Sequence, residues 1–280
     1  MYGENDRRTA EVSPAEQRAI VEKMVKTPIN IFMAVMKIFV IILSALAIVG
    51  LVKYTVDDII PLFKYSSMSR YSSTFRYSTV FAVLSLAGNA VTAIQLIFGI
   101  LVGVGVCRTV FSASAKGARM AAAYLKRTVV LTVIIVVLNL ITNLINAVNG
   151  NDTGIEVFLI STAIVVGVLV LYCKYMNGWA YVLEDVALRI EGMNVFNLPV
   201  SVSIKGPAIT MASVLGLLSI LVIANGKEVF KAASSASGLL DGLAAYNAVV
   251  IIIMILATLY FIFAAVSYGA YCSYCRRLHN

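Results

Sequence analysis

From Thr79 to Cys107 the chain carries no charged residue, and from Val129 to Val148 it carries none again. A bilayer's hydrocarbon core, about 30 Å thick, is crossed by a helix of about 20 apolar residues. Both runs meet that length. The connector between them, Arg108–Thr128, has basic residues and no acid. Two apolar helices around a purely basic connector fix lipid as the solvent and put both helix ends at the connector on one side of the membrane.

Composition agrees. Hydrophobic residues make up 60% and charged residues 13%, with a mean hydropathy of +0.92. Soluble domains sit near half and a quarter, so this much apolar surface needs lipid to cover it. Six stretches are apolar enough to span or nearly so: Ile29–Val52, Thr79–Cys107, Val129–Val148, Ile155–Cys173, Pro207–Ala224 and Asn247–Cys272. The fifth is short. The expected fold is an all-α polytopic membrane helix bundle of about six transmembrane helices. It comprises an N-terminal segment, 1–28, with an amphipathic helix, and a single transmembrane domain, 29–280. No secretory signal is expected, because the first apolar run begins too late and is too long for a cleaved peptide.

Orientation follows from the 22 lysines and arginines. With both termini cytosolic, only Lys53, Lys64, Arg70, Arg76, Lys227 and Lys231 fall on the outer side. The rest face the cell interior, as membrane topology favours. The net charge of +8 therefore reads as topology bias and attraction to anionic lipid, and nucleic acid is not an expected partner. Lys37, inside the first span, is expected to snorkel to the inner interface. The expected location is a bacterial plasma membrane, as a multi-pass protein.

Local signals place further elements. Ser13-Pro14-Ala15-Glu16 is a capping box with proline at the first helical position. Ile20, Val21, Met24 and Val25 then share one face, and Pro28 ends the helix. Such a helix either lies at the membrane interface or docks a soluble partner. The run from Tyr65 to Tyr77 interleaves tyrosine, serine and arginine and reads as an outer aromatic belt. Asn149–Gly154 is a tight outer turn, and Thr153 with Glu156 forms a second capping box. After Cys173 the fourth span continues into an amphipathic helix. Trp179, Val182, Leu183, Val186 and Ile190 form its apolar face, which makes it a candidate partner contact, with Gly192 suited to its end. The basic connector could lie flat on the inner leaflet or press into a cytosolic partner.

The second and third spans carry most of the intramembrane polarity. Asn89, Thr92 and Gln95 lie along one helix, and Asn139, Thr142, Asn143 and Asn146 along the next. Gly99 and Gly103 form a GxxxG pair that lets another helix backbone approach. Asn89 and Asn139–Asn143 fall at similar depth. Unpaired amides in hydrocarbon cost several kcal/mol, so these groups must meet each other or water. They are either interhelical hydrogen-bond glue or the lining of a polar cavity open to the outside.

Catalytic signals are sparse. The single histidine is His279, and no span interior as delimited here holds an aspartate or glutamate. Motifs for nucleotide binding, zinc proteolysis or serine hydrolysis are absent. Cys107, Cys173, Cys272 and Cys275 all lie at inner span ends, where packing explains them better than acylation, metal ligation or disulfides. No enzyme activity, metal or cofactor is expected. Two functions remain: a permease-like transport subunit coupled to a cytosolic partner, or a non-transporting scaffold or assembly subunit of a membrane complex. The pre-span helix, six spans and cytosolic loop are similar in order to some ABC-exporter permeases, although the long loop between the fourth and fifth spans departs from them. Expected partners are the lipid bilayer and a cytosolic or membrane protein, with self-association left open.

Overall fold

A backbone crossing hydrocarbon can satisfy its N–H and C=O groups only within itself, which makes helix the default for each apolar run. The computed structural model describes residues 13–61, 73–148, 155–192, 204–217, 220 and 240–279. The main elements are α1 (Pro14–Val25), α2 (Pro28–Tyr54), α3 (Ser73–Ser112), α4 (Ala115–Val148), α5 (Ile155–Ile190) and α6 (Leu240–His279). A π-helical turn, Thr55–Ile59, prolongs α2, and residues 205–217 are also helical. Among the described residues, five helices, α2 to α6, contain stretches long and apolar enough to cross a membrane. The fold is an all-α membrane bundle. The end of the expected span Pro207–Ala224 lies outside the described residues. So do most of the tyrosine/serine run, the outer turn and the Thr153–Glu156 capping box.

The basic connector is not a separate segment. Helix α3 runs unbroken through Arg108 to Ser112, and α4 begins at Ala115, so only Ala113 and Ser114 join them. At about 1.5 Å per residue each helix overshoots a 30 Å hydrocarbon core. Basic residues lower the hydropathy of Arg108–Thr128 without lowering its helix propensity, since alanine, leucine, lysine and arginine are strong helix formers. Ser114 Oγ accepts from the Gly117 N–H at 3.2 Å and caps α4. Ala113 makes the turn at φ 46°, a conformation that favours glycine over residues with a Cβ. Ala113→Gly is expected to raise stability by about 1 kcal/mol, read as a higher unfolding temperature in detergent.

The hairpin closes on small residues. A Cβ on Gly105 would lie 2.8 Å from both the Ala121 nitrogen and the Gly117 oxygen. A Cβ on Gly117 would lie 2.9 Å from the Gly105 oxygen. Ala118, Ala121 and Ala122 are fully buried along the same seam. Gly99 and Gly103 face α2 instead: a Cβ on Gly103 would come within 2.7 Å of the Ile41 side chain.

Helices α2, α3, α4 and α5 pack in sequence, and α6 returns against α2 and α1. One end of the bundle gathers α1, the α3–α4 turn and the C-terminal parts of α5 and α6. This is the end that carries most of the basic residues. The Ser13 capping box forms as the sequence indicates, with Glu16 reaching back to the Ser13 N–H at 3.1 Å. The apolar face of α1 does not lie at the interface, however. Val21, Met24 and Val25 are buried against α5 and α6. Lipid could cover those side chains as well, so apolar burial alone does not set the position. The corner does: Asn30, in the first turn of α2, donates to the Met24 carbonyl at 2.9 Å and fixes the angle at which α1 folds back.

Helix α5 is a single rod, and its lower part is not a free docking face. Val182, Val186 and Ile190 are buried, with Trp179 and Leu183 packed beside them. The chain's own α1 supplies the cover. The acids that flank this face meet the connector's bases: Lys126 Nζ lies 2.7 Å from Glu184 Oε1, and Arg119 pairs with Glu191. Both pairs are substantially exposed, so each is worth no more than about 1 kcal/mol. Gly192 ends the helix at φ 75°, as its position suggests. On the opposite side of the bundle, α2 presents Leu46 and Val49 at 63% and 68% exposure. That surface fits lipid and would be costly in water.

Candidate functional site: a cavity and a buried ion pair at the basic end

Six helices converging on small and aromatic side chains do not fill all the space between them. A partly enclosed cavity of about 110 Å³ remains at the basic end, and every one of α1 to α6 contributes to its wall. Most of the lining is apolar, with Met33, Val102, Val106 and Leu125 among it. The polar groups are few. Asn30 and Ser267 form a hydrogen bond across α2 and α6, Ser267 Oγ donating to Asn30 Oδ1 at 2.6 Å.

Lys37 is the one cation of the lining among the described residues. Its Nζ lies 4.7 Å from the centre of the Tyr260 ring on α6, a cation–π contact that draws the ammonium into the bundle. It makes no ion pair among the described residues. Tyr175 and Trp179, one turn apart on α5, also line the cavity. The Tyr175 hydroxyl and the Trp179 indole N–H are buried and lie close to each other and to Tyr260, but neither completes a well-aligned hydrogen bond among the described residues. Tyr175 is itself held by Phe261 of α6, ring centres 5.0 Å apart.

Below the cavity, Asp185 and Arg189 of α5 are 5% and 3% exposed. Arg189 Nε donates to Asp185 Oδ2 at 2.7 Å. Tyr271, from α6, donates its hydroxyl to the same oxygen, and Cys275 is buried in the same apolar cluster as Tyr271. Asp185 Oδ1 and Arg189 Nη2 have no partner among the described residues. The pair is neutral overall, so it serves as a cross-tie between α5 and α6 more readily than as a charge relay. Periodicity alone puts Asp185 off the face that Trp179, Val182, Val186 and Ile190 share, so it does not mark the residue as buried. The available signal was the Asp185/Arg189 spacing of four residues, which suits a pair on one helix.

The expected polar cluster does not assemble as a unit. Asn89 Nδ2 donates to Thr55 Oγ1 at the far end of α2, 3.1 Å away. Gln95 Nε2 donates to Thr132 Oγ1 of α4 at 2.9 Å. Thr92 and Thr142 bond back to the carbonyls of Gly88 and Leu138 in their own helices. Asn139 and Asn143 are exposed on α4, and the Asn146 side chain lies outside the described residues. Two of these contacts, at Asn89 and Gln95, do join neighbouring helices. Depth along the membrane was legible from the sequence, but the direction in which each amide turns was not.

The candidate-site residues that the sequence did not single out are Asn30, Tyr175 and Tyr260, while Asp185 and Arg189 read there only as charges flanking the α5 face and Tyr271 only as an inner-interface anchor. All belong to one end of an all-α, multi-pass membrane bundle. Compared with protein-family models, curated proteins and solved structures, the chain matches none of them.

Proposed function

We propose that the chain is a permease-like transport subunit, with the cavity at its basic end as the solute site and a cytosolic protein as its driving partner. The observation that supports this most is that α1 to α6 all wall the same cavity. Relative motion of any two of them changes its shape, which is what a site with alternating access requires. Arg108 and Lys116, exposed beside the α3–α4 turn and without ion pairs among the described residues, offer a partner a basic handle.

The test is solute profiling of sealed, inverted vesicles fed with cytosolic extract. At least one solute should accumulate with the native protein and fail to accumulate with Val106→Phe, which fills the cavity. An identical solute profile in vesicles with and without the protein contradicts the proposal. A second reading, an assembly subunit, draws support from Asn139 and Asn143, whose exposed amides on an apolar helix would be satisfied by another membrane chain. Leucine at both positions is expected to leave accumulation unchanged. Dissociation of a co-purifying membrane complex, without any transport defect, would favour assembly instead.

A further inference from the structure

We infer that the cavity selects a small organic monoanion, a monocarboxylate with a short apolar body. This rests on the reading of the cavity as a solute site and assigns its substrate class.

Charge comes first. Lys37 is a cation within an apolar wall and has no acid paired with it among the described residues. Its ammonium already occupies the Tyr260 ring face. A second cation there would meet repulsion in a low-dielectric setting, whereas an anion supplies the missing counter-charge. Hydrogen bonding points the same way. The Tyr175 hydroxyl and Trp179 N–H, both in the lining, are buried donors that lie close to each other and to Tyr260 without completing a well-aligned hydrogen bond among the described residues, and Tyr175 is 3% exposed. A carboxylate accepts from several donors at once.

Size then restricts the class. An apolar cavity of about 150 Å³ holds the six heavy atoms of a benzene ring, so about 110 Å³ encloses about four, and the open side of the cavity leaves room for one or two more. Butyrate has that size, with a single charge for Lys37 and a propyl chain for Met33, Val102 and Val106. A phospholipid acyl chain does not fit. An anionic lipid could still bring a phosphate to Lys37, and the experiment separates the two sources of negative charge.

Trp179 is the only tryptophan of the chain, so its fluorescence reports occupancy directly. The full-length protein in phosphatidylcholine nanodiscs is titrated with butyrate, butanol and butylammonium. Butyrate should change Trp179 emission saturably. Butanol should bind at least about tenfold more weakly and butylammonium more weakly still, as loss of a desolvated charge pair implies. Lys37→Met should cut butyrate affinity by about tenfold or more while leaving butanol within about twofold. Tyr175→Phe, which keeps the ring and removes the hydroxyl, should weaken butyrate alone. Both variants are first checked for native elution and thermal transition.

Equal binding of butyrate and butanol would overturn the inference, as would butyrate binding that survives Lys37→Met. So would a Trp179 response that appears on exchange into phosphatidylglycerol nanodiscs and is indifferent to butyrate, because lipid would then be the anion. Accumulation of another solute in vesicles, with no butyrate response, removes the substrate class and leaves the transport proposal standing. Butyrate binding without any solute accumulation does the reverse.

Discussion

Arg189→Ala is expected to destabilise the basic end by about 3–5 kcal/mol, because it leaves the Asp185 carboxylate buried without its counter-charge. The pair is 3% and 5% exposed, and water cannot compensate at that burial. Tyr271 still donates to Asp185, but one neutral hydroxyl does not replace a guanidinium. The double variant Arg189→Met with Asp185→Leu removes both charges and retains apolar volume. It is expected to recover most of the loss, since a buried pair is often worth little more than well-packed apolar side chains. Thermal unfolding in detergent of the two variants beside the native chain reads both outcomes. A mild effect of Arg189→Ala would show that the pair is hydrated and that α5 and α6 do not seal this end.

Gly105→Val is the second large effect. The Cβ alone would sit 2.8 Å from backbone atoms of α4, and backbone cannot turn aside as a flexible side chain can. The α3–α4 seam must open, at a cost of about 1–3 kcal/mol or more. Opening it also parts Ala122 from Val102 and Ala180, the small core where α3, α4 and α5 meet. Gly88→Ala, on the same helix with nothing within 4 Å of the added Cβ, is the control. It should be neutral or stabilising by up to about 1 kcal/mol. Both are read by thermal unfolding and by yield of monodisperse protein.

The fold was largely legible because lipid imposes a length rule and local capping chemistry carries its own signature. Ser13, Pro28 and Gly192 mark helix ends by interactions within a few residues, and the structure places ends there. The Arg108–Thr128 segment was misjudged because hydropathy reports where a helix leaves lipid, not where it stops. The apolar faces of α1 and of lower α5 were each readable as lacking a partner. That they cover each other depends on the corner at Asn30, which no periodicity reveals. The candidate site was less legible still. Lys37 faces inward because Tyr260, more than two hundred residues later in the chain, offers a ring at the right height. Long-range choices of that kind are invisible to spacing along one helix.

The central claim is that this is a multi-pass bundle whose α3–α4 turn and α5 terminus share one face of the membrane, opposite the far end of α2. The direct measurement is labelling of single cysteines at Lys116, Glu191 and Asp57, in a chain otherwise free of cysteine, by a membrane-impermeant maleimide on sealed vesicles. Lys116 and Glu191 should label from the same side and Asp57 only from the other. Labelling of Lys116 and Asp57 from one side without permeabilisation would contradict the account.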